Sequence, residues 1–159
     1  MLVVSDTSPL NYLVLIERDG LLPALFAKVA APSGVLAEMQ HQDAPNIVRA
    51  WASTPPPWLT VATPTSLLSG LNLGRGETEA LSLARELKAD ALLIDERAGA
   101  RAAQSLGLSV TGTLGVLLLA HERGLAPLTD SLSRLQATSF RASPGLLQQL
   151  LDRAREFPS

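Results

Sequence analysis

Cysteine is absent from the 159 residues. That excludes a disulfide framework, a thiol nucleophile, and thiolate-held zinc or iron–sulfur centres. No charge sign is in large excess: 13 basic residues face 15 acidic ones, for a net charge of −2. A non-specific electrostatic coat on nucleic acid is therefore excluded, while a local basic groove is not. Lysine is nearly missing, since 11 of the 13 basic residues are Arg. Arg is the bidentate phosphate reader, although a GC-rich genome produces the same bias. Long apolar runs are missing too: Leu114–Ala120 is among the longest, and a membrane span needs about 20 residues. The opening MLVVSDTSP lacks a basic n-region, an apolar h-region and a cleavage site. A strand starting at residue 2 predicts no leader, and the expectation is a soluble, cytoplasmic chain. Three chemical signatures are also lacking. No G-x-G-x-x-G follows a strand, the GRGET at 74–78 has no P-loop Lys, and no G-x-S-x-G elbow exists.

What is present reads as one ordered domain over 1–159. Apolar residues make up 47% and charged residues 18%, which excludes disorder. Five short, near-continuous apolar runs predict buried parallel strands: Leu2–Ser5, Val29–Ala31, Leu59–Ala62, Ala91–Ile94 and Ser109–Thr111. Helices are predicted between and after them, from Ser8-Pro9 to Ile16, Pro32 to Gln40, Glu77 to Lys88, Arg97 to Leu106, Leu114 to Arg123 and Leu146 to Glu156. Gly107 and Gly124 are placed to close two of these helices. Ser53–Pro57 is read as a turn into a strand. Strands alternating with helices predict an α/β sandwich on a mostly parallel sheet.

Only seven Asp occur, and two of them, Asp6 and Asp95, immediately follow apolar strands. That is the edge where open α/β sheets bind ligands. Carboxylates converging there repel unless a cation lies between them or one is protonated. Hard divalent cations with oxygen ligands answer that need. With no cation, neutralising one acid, as in Asp95→Asn, is expected to stabilise the protein. Glu38 and Glu77 lie on helices that begin near the same edge. Glu79 is an alternative to Glu77, about 200° round the helix. Capping is the competing explanation for each acid taken singly.

Thr7 and Ser8 follow Asp6 directly. Ser8 is read as the N-cap of the Pro9 helix, and Thr7 as a donor to Asp6 or to a metal-bound water. Thr113 is read first as an N-cap, with a place at the site as the alternative. Asn11 lies one turn into the first helix, as a substrate contact or a plain surface amide. Arg75, Arg97 and Arg101 flank the acids. Arg97 and Arg101, spaced i, i+4, can hold phosphates or simply pair with Glu96. His41 and His121 have no ligand spacing and are read as structural or surface groups.

Five segments in this order resemble PIN domains: SDTSPLNYL at the start, PSGVLAEM at 32–39, LGRGETEALSLA at 73–84, ADALLIDERAGARAA at 89–103 and VTGTLGVLLLAHERGL at 110–125. The resemblance is closest to a prokaryotic branch related to VapC-type toxins. It implies a three-layer α/β/α sandwich with a five-stranded sheet in the order 3-2-1-4-5. It also implies a ribonuclease dependent on Mg²⁺ or Mn²⁺, with acidic positions at Asp6, Glu38, Glu77 and Asp95 and a hydroxyl at Thr7 or Ser8. The sequence departs from many of the toxins in having Glu at 77 and Glu-Arg after Asp95. Thr113 stands where some relatives carry another polar ligand.

The resulting expectation is a single-stranded RNA endonuclease, with Asp6 and Asp95 as primary ligands and Glu38 and Glu77 completing the shell. RNA is the expected partner, Thr7, Ser8, Asn11, Arg97, Arg101 and Thr113 its contacts. A homodimer and a small antitoxin are expected if the chain is a toxin. Two other classes stay open: a non-catalytic PIN-fold binding module, and a phosphohydrolase using Asp6 as nucleophile. The second lacks a further Asp two residues on.

Overall fold

A computed structural model describes residues 1–157. The chain runs β1 (Leu2–Ser5), α1 (Thr7–Leu15), α2 (Leu21–Leu25), β2 (Lys28–Pro32), α3 (Ser33–Met39), α4 (Asn46–Ser53) and β3 (Leu59–Ala62). It continues through α5 (Arg75–Glu86), β4 (Ala91–Leu93), α6 (Arg97–Ser105), β5 (Ser109–Thr111), α7 (Thr113–Glu122), α8 (Leu128–Gln136) and α9 (Pro144–Ala154). The five strands form one sheet in the order β3-β2-β1-β4-β5, and every pairing is parallel.

The strand sequences explain the three layers. Alternate residues of a strand point to opposite faces. Val3, Val29, Ala31, Ala91 and Leu93 belong to a core shared with α1, α2, α3, α4, α7 and α8. Val4, Ala30 and Leu92, the residues in between, belong to a second core with Ala80, Leu81, Leu83 and Ala84 of α5 and Ala103 of α6. Both sheet faces are therefore covered, and a strand with two apolar faces reads as an unbroken apolar run.

All five predicted strands are present. Gly107 and Gly124 close α6 and α7 with φ of +83° and +72°, where a side chain is disfavoured. Three helices escape the sequence reading: α2, α4 and α8. Helix α2 has only five residues with Pro23 inside it, too short for a periodic pattern. Two starts are also displaced. Helix α5 begins at Arg75, not Glu77, because Gly74-Arg75-Gly76 looks like loop yet forms its first turn. Helix α9 spans Pro144–Ala154, with Ser143 accepting the Leu146 N–H as its cap.

Candidate active site

Strands β1 and β4 are neighbours, with Ser5 opposite Leu93, and the Asp6 N–H donates to the Leu93 carbonyl at 2.9 Å. The chain leaves β1 toward β2 and β3, then returns across β1 to β4 and β5. The connections thus diverge between β1 and β4 and open a crevice at their carboxyl ends. Asp6 and Asp95 both emerge there.

Asp6 is buried, at 7% exposure. Burial pushes its carboxyl from 3.8 up to about 6, against the lowering effect of the Thr7 backbone N–H. The negative charges of Glu77, Glu38 and Asp95 raise it further. Desolvation and like-charge repulsion act in the same direction here.

Glu38 extends from α3 and accepts a hydrogen bond from Thr7 Oγ1 at 2.8 Å. Its Oε2 would lie 3.3 Å from a Cβ at position 76, and Asp6 Oδ1 4.0 Å from the same atom. The two carboxylates therefore border one space, kept open by a glycine. Glu77 sits in the first turn of α5 and leans back over Gly74, where an added Cβ would meet Oε2 at 2.6 Å. Glu79 turns the other way. It is buried and accepts from Arg75 Nε at 3.0 Å. Of the two glutamates left open by the sequence, Glu77 lines the cleft and Glu79 does not.

Asp95 is held differently. Its Oδ1 accepts from the Thr113 N–H at 2.7 Å, and its Oδ2 accepts from Thr113 Oγ1 at 2.7 Å and Ser8 Oγ at 2.8 Å. Both hydroxyls expected as N-caps serve this carboxylate instead. Asp6 occupies the cap position of α1 and Gly112 that of α7. Ser8 and Thr113 fall inside the first turns, from where they reach across to the β4 end. Gly112 must be bare, since a Cβ there would lie 2.7 Å from Asp95 Oδ1.

The crevice is a cleft of about 740 Å³. Of the residues singled out from sequence, Asp6, Thr7, Ser8, Asn11, Glu38 and Glu77 line it. Asp95 and Thr113 are tied to that wall through Ser8. Arg97 and Arg101 are exposed on α6 and are not among the lining residues. Glu96 does not pair with them. It caps α6, accepting from the Ala98 and Gly99 N–H groups at 3.0 and 2.7 Å, and these bonds hold its carboxyl below the usual range. His41 is exposed and lines the cleft, whereas His121 is buried between Ala154 O and the Leu128 N–H.

Sequence reasoning missed Tyr12 as a wall residue and gave Arg75 no special place. The signal for Arg75 was available: the glycines on both sides mark a backbone that other groups approach closely.

The donor set is all oxygen, which suits Mg²⁺ or Mn²⁺. Among the described residues, no three acids or histidines form a ready-made clasp for one ion. Mg²⁺ usually keeps several waters and takes one or two carboxylates. The open space beside Gly76, bordered by Asp6 and Glu38, fits that requirement.

A parallel sheet with an acidic cleft at its switch point defines a class of α/β proteins in which the site is read from the strand ends. A family profile described as PIN domain, DUF3368, matches residues 2–156. The chain belongs to the PIN-domain family. PIN domains are a nuclease-type family, generally hydrolases that use divalent metal ions on nucleic acid. Among solved structures, the chain is similar to a PilT N-terminus domain protein, SSO1118, from the hyperthermophilic archaeon Sulfolobus solfataricus P2. The two share 14% identity and a TM-score of 0.51, over 90% of this chain and 100% of that one. At that identity the likeness concerns the fold alone. No curated protein matches the chain. No helix among the described residues is long and apolar enough to cross a membrane.

Proposed function

We propose that the chain, as a single PIN domain over 1–159, is a metal-dependent endonuclease acting on single-stranded RNA. The observation that carries this reading is Asp6: a buried carboxylate pushed up to about 6 by burial and by three further acids. A group so placed gains most from a divalent cation. A bound Mg²⁺ or Mn²⁺ supplies charge to offset the phosphate and acidity to activate water. Asp6 and Glu38 would hold it directly and Glu77 through water. Asp95, expected from sequence as the other primary ligand, already accepts from Thr113 and Ser8 and would join the shell through its remaining lone pair or a water. Thr7 fixes the Glu38 carboxylate, and Ser8 and Thr113 fix Asp95. Asn11, which lines the cleft, would contact the RNA there, and Arg97 and Arg101 would guide the strand outside it. A phosphohydrolase using Asp6 as nucleophile is disfavoured, because Ser8 stands two residues on, where that chemistry places a second Asp.

The test is cleavage of an unstructured RNA in Mn²⁺, with EDTA and Asp6→Asn as controls. Activity is expected to disappear in both. Cleavage that survives both overturns the reading, and a protein that binds metal and RNA without cutting is a binding module. A role as the toxin of a type II pair, working as a homodimer with a small antitoxin, is a finer form of the same proposal. It requires a short antitoxin gene adjoining this one.

A further inference from the structure

Five acids line the cleft: Asp6, Glu38, Asp43, Glu77 and Glu96. An RNA phosphate approaching this wall meets like charge, which a single cation at the Asp6 end offsets only locally. Among the described lining residues, one group is a permanent cation, the guanidinium of Arg75. It stands at the first position of α5, next to Gly76 and therefore beside the space shared by Asp6 and Glu38.

Its geometry is specific. Nε donates to Glu79 Oε1 at 3.0 Å, and the Arg75 side chain is 83% exposed while that of Glu79 is 11% exposed. Glu79 is itself lodged against α3, where a Cβ at position 34 would overlap its Oε2. One edge of the guanidinium plane is thus fastened to a carboxylate that has little room to move. No hydrogen bond occupies its two terminal nitrogens among the described residues. The buried Glu79 carboxylate is satisfied through Nε alone, so the pairing leaves the outer part of the exposed fork unclaimed. A planar fork held by one edge is pre-organised for an oxyanion at the other, and it loses less rotamer freedom on binding.

We propose that Arg75, pinned by Glu79, is the phosphate anchor of the cleft: it takes the RNA phosphate next to the one that is cut, and Glu79 is its positioning residue. The proposal rests on the nuclease reading above. It moves the principal phosphate contact from the α6 pair Arg97 and Arg101 to α5.

The experiment measures binding of a short fluorescein-labelled oligouridylate in Ca²⁺, across a salt series, alongside cleavage in Mn²⁺. Arg75→Gln is expected to weaken binding roughly tenfold, as for a lost charge-assisted contact, and to lower the salt slope by about 0.7. KM should rise with little change in kcat. Arg75→Lys, which keeps the charge and loses the fork, falls in between. Arg85→Gln removes the same charge from the same helix outside the cleft and should bind within about twofold of wild type. Glu79→Ala should weaken binding when Arg75 is present and add nothing in the Arg75→Gln background. If Arg75→Gln matches wild type, or falls no further than Arg85→Gln, the anchor is overturned while the nuclease reading stands. Equal Glu79→Ala losses in both backgrounds overturn the pinning. Wild type that neither binds nor cuts RNA overturns the nuclease reading and the anchor with it.

Discussion

Asp6 and Asp95 leave adjacent parallel strands at one sheet edge and differ in nearly everything else. Asp95 accepts three hydrogen bonds from two donors-bearing residues, Thr113 and Ser8. Asp6 is more deeply buried, is held by the Thr7 N–H, and faces three negative charges. The same residue type at equivalent strand ends has been given a satisfied environment in one case and an unsatisfied one in the other. A carboxylate fully supplied with donors adds rigidity and has few lone pairs to spare. One left short of donors stores repulsion that a cation can relieve.

The sharpest way to break this contrast is the pair of Asn variants. Asp6→Asn is expected to lower RNA cleavage by a factor on the order of 10³ while leaving the fold intact, in line with removal of a group acting at the transition state. Cleavage rates normalised to folded protein check this, and an Asp6→Asn enzyme near wild-type rate would remove Asp6 from the site.

Stability should separate the two residues in the opposite direction. Asp95→Ala strands the Thr113 N–H and two hydroxyls, so a loss of about 2 kcal/mol is expected in urea unfolding. For Asp95→Asn, the gain expected from relieving Asp6 of one like charge is set against the loss of an acceptor oxygen for Thr113 or Ser8. Asp6→Asn should instead raise metal-free stability at neutral pH, by roughly 1–3 kcal/mol. The sign follows from the shift: the folded-state value, about 6, lies above the ordinary 3.8. The contribution of Asp6 is fully present below 3.8 and is lost as pH rises through about 6. Urea midpoints measured from pH 4 to 7 should fall in wild type relative to Asp6→Asn, and parallel curves would refute the assignment.

Further effects refine the same picture. Mn²⁺ at a hundred times its Kd should add about 2.7 kcal/mol to wild type by mass action. The same Mn²⁺ should leave the melting point of Asp6→Asn almost unmoved. Ser8→Ala removes one of the bonds to Asp95 and should cost about 1 kcal/mol. Thr7→Val loses a bond to the exposed Glu38 and should cost less than about 0.5 kcal/mol in stability, with its effect appearing in metal affinity instead.

Much of this arrangement was legible in the sequence. Unbroken apolar runs marked the strands, and an Asp directly after a run marked the binding edge. The hydroxyls were misassigned because Ser or Thr at a helix start has the same local signature whether it caps its own helix or reaches a neighbouring strand. Only the pairing of β1 with β4, and of β4 with β5, tells the two apart, and pairing is non-local. Glu77 and Glu79 were indistinguishable for a related reason: their roles depend on the true start of α5, two residues earlier than the periodic pattern begins. Arg97 and Arg101 were conspicuous by their spacing, whereas the hold on Arg75 depends on Glu79, four residues on, being lodged against Gly34 of α3, which is far away in sequence.

The contacts at positions 34, 76 and 112 carry an implication for how this sequence can vary. At each, the atom that every other amino acid would add is met by a carboxylate oxygen of Glu79, Glu38 or Asp95. These glycines are moulds for the charged groups, and they have no chemistry of their own. In a saturation library scored for cleavage, position 112, which faces a carboxylate held by Thr113 and Ser8, should show a narrow alphabet, and position 76, 3.3 Å from the tip of Glu38, a wider one. Compensating pairs should also appear, with an alanine at 112 tolerated chiefly where position 95 has become smaller. The acidic edge of the protein is in that sense drawn by absent carbon atoms as much as by the oxygens present.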